Sequence, residues 1–345
     1  MCPYRFQRIF VSVGDCIQVA FGCGIKFSAI DACHLRHVIY HSGRLHLLTT
    51  RDGNNKIVVL AWCYAETESA DTYTYFAEQC HLAGLSRYLS ESGIVFSDRQ
   101  KGIQRFHDRF NSKVGKCFVH IIRNAIQKCR GTGTGLPEGL AWDLQKAETR
   151  ALYDSALQTL RQVCPVAARY FDNIDNHEQV YQYAFNEHKI ATHGHKSSNI
   201  VEVPNAIFKE VREHAPYRGN NLILKWIGKE FAARVDTMTE WINQGHYLTP
   251  YAHELWSEQV QTQGLHCTDR RAPPSILPDG RAPPSFLPGG RAPPSFLPNG
   301  RAPISFLPCW LHRDLLFVLR PAVFIVPQCL HCVLLVSLCH TGGVG

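Results

Sequence analysis

Apolar residues fall in short continuous or alternating runs early in the chain and at helical spacing later. Residues 27–30, 44–49 and 56–64 read as strands. The last two flank Thr50-Arg-Asp-Gly-Asn-Asn55, a strong turn signal, so an antiparallel hairpin is predicted. Asp52 in that turn reads as structural, its side chain holding the turn. Residues 72–83 have helical spacing, with Tyr75, Phe76, Cys80 and Leu82 apolar and Gly84 as a stop. Gly93-Ile-Val-Phe-Ser97 reads as a short buried strand ending at Asp98, from which a helix is predicted through Phe110. Lys116-Cys-Phe-Val-His-Ile121 reads as a further strand. From about residue 142 to 187 the pattern is helical and polar-rich. Another helix should run from about 200 to 214, with more to about 263. This order predicts an α/β protein, a mixed sheet covered by helices.

The pattern changes near residue 267. From Arg271 a decapeptide recurs, beginning Arg-Ala-Pro-Pro-Ser-Ile-Leu-Pro-Asp-Gly, and 13 of the 19 prolines lie beyond residue 268. Three prolines in ten exclude helix and central strand, so residues 263–310 are expected to be a disordered, extended repeat. Residues 311–345 form an apolar, Cys-rich tail. Its stretch 321–339 approaches the length of a membrane span but holds Pro321, Pro327, Gln328 and His331, so no membrane partner is expected. Cys329-Leu-His-Cys332 looks like half of a zinc site, but with no foldable surroundings it reads as coincidence.

Net charge is +7, of which the tail from Thr268, with seven Arg and three Asp, carries more than half. A basic-patch argument for the remainder is therefore weak. No secretory signal is visible at the start, so the 14 cysteines are expected to be reduced thiols.

Two acids stand where the pattern places strand ends: Asp31 after Phe-Ser-Ala-Ile, and Asp98 after Ile-Val-Phe-Ser. Carboxylates held at neighbouring strand ends could share hard divalent ions such as Mg²⁺ or Mn²⁺, although Asp98 is equally placed to cap a following helix. Four blocks add context. Ile30-Asp-Ala-Cys-His-Leu35, Thr50-Arg-Asp-Gly-Asn-Asn55, Leu60-Ala-Trp and Glu66-Thr-Glu68 resemble the opening of a Mutator-like element (MULE) transposase domain. Ser97-Asp-Arg-Gln-Lys-Gly102 resembles that family's second block, and Cys117-Phe-Val-His120, with Asn124, its Cys-x-x-His block. Thr192-His-Gly-His-Lys-Ser-Ser-Asn-Ile-Val-Glu202, with Asn205, resembles its third. The blocks occur in order between residues 27 and 245.

The resemblance implies a ribonuclease-H-like mixed sheet flanked by helices and a DDE-type acidic triad. It assigns Asp31, Asp98 and Glu202 as catalytic residues that hold two Mg²⁺ or Mn²⁺ ions. A helical insertion, about 131–196, would precede the third acid. The implied function is metal-dependent DNA strand cleavage and strand transfer by in-line attack at phosphorus, in the nucleus. The implied partners are DNA, as transposon ends and target, and a second copy of the chain. Cys117 and His120 read as a structural pair. Arg99 and Lys101 beside Asp98 are candidate DNA-phosphate contacts. Pro204, two residues after Glu202, leaves two geometries: a helix from about Ser198 that carries Glu202, or a helix that starts at Pro204. The domain is taken as 27–262, with 1–26 an N-terminal remnant, so the flanks suggest a truncated or decaying element. A non-catalytic transposase-derived DNA-binding or regulatory protein, and a pseudogene product with no role, are the alternatives.

Overall fold

The structure, a computed structural model, describes residues 8–23, 26–90, 94–98, 101–130, 133, 135–193, 199–246, 248–263 and 332–333, with the backbone alone at 101, 199–202, 259–263 and 332–333. Three of its strands form an antiparallel meander: β2 (Phe27–His34), β3 (Arg44–Arg51) and β4 (Ile57–Ala65). The turn between β3 and β4 is held by Asp52, whose Oδ1 accepts from the Asn54 and Lys56 amides at 2.9 and 2.8 Å. Asn55 takes the left-handed conformation there, as turn chemistry favours.

On the other side of β2, β5 (Ile94–Ser97) pairs parallel to it, and β6 (Val114–Lys116) pairs parallel to β5. Within 1–26, read as a remnant, residues 8–22 contribute to the fold. β1 (Arg8–Val13) pairs antiparallel with β4, and α1 (Gly14–Gly22) follows it. The result is an α/β arrangement with a six-stranded mixed sheet, order β6-β5-β2-β3-β4-β1, flanked by helices. A two-residue strand, β7 (Cys332–Val333), pairs with the outer side of β1. The rest of the repeat and tail lies outside the described residues.

β3 and β4 are buried along nearly their whole length, as is most of β2, because helices cover both faces of the sheet. The first of these, α2 (Ala70–Leu82), starts at Ser69, whose side chain accepts from the Thr72 amide. α3 (Ser86–Ser90) and α4 (Gln104–Phe110) follow. Asp98 does not open a helix: a 3₁₀ turn, Lys101–Ile103, intervenes before α4.

The strand expected at 116–121 is also corrected. β6 ends at Lys116 and α5 (Phe118–Cys129) begins at once. Phe118, Ile121, Ile122, Ala125 and Cys129 are its buried positions, and this 3.6-residue period outweighs the short β-like run at its start. With α6 (Glu138–Lys146), α7 (Arg150–Val163), α8 (Pro165–Asp172) and α9 (Gln182–Glu187), α5 builds a second, helical core around Phe118, Tyr153, Phe171 and Tyr181.

α10 (Asn199–Ile207) returns the chain to the sheet and contacts β2 and β3. α11 (Pro216–Asn243) then packs by its first half on the sheet core, with Ile223 and Ile227 buried. A separate unit, Pro250–Cys329, contains α12 (Pro250–Gln263). No helix among the described residues is long and apolar enough to cross a membrane. Of the stretch 321–339, only 332–333 are among them.

Candidate functional site

Strand pairing alone sets the relation between the two aspartates. In the parallel pair β2–β5, Ala29 lies opposite Phe96. Side chains alternate between faces along a strand, so Asp31 and Asp98, each two residues further on, project from the same face. Asp31 sits inside β2 rather than at its end, because β2 extends to His34. Asp98 is the first residue beyond β5.

Their charges interact. The Asp31 carboxyl is raised to about 7, chiefly by burial and next by the Asp98 charge, with His120 opposing both. Glu68 adds a smaller push in the same upward direction. Glu68 itself titrates above the usual carboxylate range, first through burial, while the Tyr73 hydroxyl, donating to its Oε1 at 2.8 Å, lowers it. Arg44 Nε lies 3.8 Å from the other Glu68 oxygen. The site is thus a half-buried group of three acids, Asp31, Glu68 and Asp98, around the open end of β2 and β5. Glu68 stood in the first sequence block but had no role assigned. Only its tertiary position beside Tyr73 identifies it.

The Cys-x-x-His block adjoins the same place. Cys117, at the N-cap position of α5, is buried, and its amide donates to the Ser97 carbonyl at 2.8 Å, one residue before Asp98. His120 lies in the first turn of α5, and its charge acts on Asp31. Ser97 is fixed in turn by His107, whose Nε2 lies 3.2 Å from its hydroxyl.

From the far end of the sequence, Asn205 in α10 donates through Nδ2 to Asp31 Oδ2 at 2.9 Å. Glu202 lies one helical turn earlier in α10, which begins at Asn199 with Pro204 inside it. The helix therefore does not start at Pro204. The Glu202 and Lys101 side chains, and Arg99 altogether, lie outside the described residues. Among the described residues no group of three or more His, Cys, Asp and Glu side chains is gathered tightly enough to hold a metal ion. A groove of about 530 Å³ lies elsewhere, between α2 and α4, lined by Asp71, Glu78, Arg105 and Arg109 among others.

The arrangement offers carboxylate oxygens, one orienting amide and a nearby imidazole at the edge of a rigid sheet. Hard oxygen donors of this kind suit Mg²⁺ or Mn²⁺ rather than soft ions. Comparison with known proteins adds no assignment, since no protein-family model matches the chain and no curated protein matches its sequence.

Proposed function

We propose that the sheet-bearing unit is a DDE-type transposase catalytic domain of the Mutator-like kind, which cuts DNA strands and joins them by in-line attack at phosphorus. The observation that carries this reading is the placement of Asp31 on β2 and Asp98 just beyond the adjacent parallel strand β5, close enough for one charge to shift the other. Strand order supports it: an antiparallel meander β2–β3–β4 continued on its first strand by parallel β5 and β6 is the arrangement expected of a ribonuclease-H-like sheet. Helices α6 to α9, which pack with α5 in the second core, lie where the insertion of about 131–196 is expected and support the same reading.

Asp31, Asp98 and Glu202 would hold the divalent ions. The fit rests on the donor chemistry and on an orphaned acceptor: Asn205 Oδ1 is buried and has no hydrogen-bond partner among the described residues, although its amide nitrogen already serves Asp31. Bound Mg²⁺ or Mn²⁺ would supply Lewis acidity at the scissile phosphate. The chain's own residues provide the frame. Tyr73 orients Glu68, the Cys117 amide anchors the end of β5, and Asn205 anchors Asp31. α5 contains no acidic residue, and its exposed Lys128 is a candidate contact for a DNA phosphate.

The test is cleavage of end-labelled duplex DNA by the full chain in Mn²⁺. We expect Asp31→Asn and Asp98→Ala to lower the rate by at least about 100-fold with the fold retained by circular dichroism. Metal-dependent cleavage that persists in Asp98→Ala would reject the assignment. A wild-type chain that binds DNA without cutting it would point to the non-catalytic, transposase-derived reading.

A further inference from the structure

Asn205 is the contact that ties the last part of the site to the first. It bridges α10 to the central strand across a sequence separation of 174 residues. A side-chain amide offers two donors and one acceptor. Here a donor is spent on Asp31 Oδ2, while Oδ1 is buried without a partner among the described residues. A purely structural bridge between a helix and a strand would satisfy both ends of the amide, because buried polar atoms are rarely left unpaired. Pro204, buried and directly before it, fixes the backbone at the point where Asn205 meets β2.

We propose that Asn205 is a positioning residue of the cation site: its Nδ2–H holds one Asp31 oxygen, leaving the other for a divalent cation, and its Oδ1 accepts from that cation's hydration water. This rests on the reading of Asp31 as a metal-holding carboxylate. Groups that hydrogen-bond a ligating carboxylate fix its orientation, and losing one typically weakens metal affinity 10–100-fold. The proposal differs from a packing role, since Asn205 is only half-buried and its loss leaves the buried Pro204 of α10 in place.

The experiment is Mn²⁺ titration of the full chain without DNA, with free Mn²⁺ read by electron paramagnetic resonance and folding checked by circular dichroism. We expect Asn205→Ala to raise the Mn²⁺ Kd about 10-fold at an unchanged helical signal, and Asp31→Asn to raise it further. Asn205→Ser, which keeps a donor and an acceptor, should fall between wild type and Asn205→Ala. It serves as the deciding variant on the same criterion should the alanine variant fail to fold. Wild-type affinity in the Asn205 variants, with loss in Asp31→Asn, overturns the role of Asn205 and leaves the metal reading standing. Loss in Asn205→Ala without loss in Asp31→Asn also overturns it, because Asn205 would then not act through Asp31. A wild-type chain that takes up no Mn²⁺ removes both.

Discussion

His46 and His107 are buried in the sheet core, and neither is a candidate ligand. His46, on β3, is enclosed by Tyr73 and Phe76, and burial lowers it to about 3. His107 is lowered to about 4 by burial, its two ring nitrogens facing the Ser97 and Ser112 hydroxyls. Both folded values lie below the unfolded one, so as pH falls below about 6.5 the unfolded chain takes up protons first and stability is lost. Asp31, raised to about 7, has the opposite slope over the same window. The difference between variant and wild type therefore carries the test. We expect His107→Gln, which keeps hydrogen-bonding capacity but does not titrate, to lose roughly 1–3 kcal/mol less than wild type between pH 7 and pH 4. Urea midpoints at the two pH values measure this, and parallel losses in both proteins would refute it.

At the scale of elements, α11 meets the sheet through a close approach that only glycine allows. A Cβ on Gly219 would overlap the Tyr64 hydroxyl and lie 3.3 Å from Val211 Cγ1. Tyr64 is fully buried on β4 and cannot swing away. In α6 a Cβ on Gly139 would meet nothing within 4 Å. The same substitution should therefore have opposite signs: Gly219→Ala destabilises by about 1–3 kcal/mol, and Gly139→Ala stabilises by up to about 1 kcal/mol. Thermal melts of the two single variants decide it, and a shared sign would show that helix propensity rather than packing governs α11.

Much of this architecture was legible in the pattern. The β3–β4 hairpin announced itself through the Thr50–Asn55 turn, and the helices of 142–187 through their spacing. β1 and α1 are not legible in the pattern, because both are short and the helix follows the strand directly at Gly14, with Val13 rather than a capping side chain before it. α5 was read as a strand because its first residues, Phe118-Val-His-Ile, look extended until the later period is counted. Asp31 and Asp98 could be read from strand positions. Glu68 and Asn205 could not, since only folding brings them to β2.

For the molecule as a whole, the reading predicts an electrostatic contribution to DNA binding from α5. Lys128 is exposed on a helix without acids, so it can neutralise a phosphate and release a counterion. In metal-free buffer with chelator, the Lys128→Gln variant should bind duplex DNA with a log K against log salt slope shallower by about one. Fluorescence anisotropy over a salt series measures it, and an unchanged slope would exclude Lys128 as a phosphate contact.

The span between Asp31 and Asn205 also sets a temporal order. Both aspartates leave the ribosome early, whereas the amide that orients one of them follows only after the helical core of α5 to α9 has been made. Closing so long a loop as free chain is entropically costly and slow. Prior folding of the intervening helices shortens the effective loop to a compact body with nearby ends. Assembly of the site is therefore late in folding, behind the gain of most secondary structure, and a nascent chain stopped before α10 holds Asp31 without the amide that orients it.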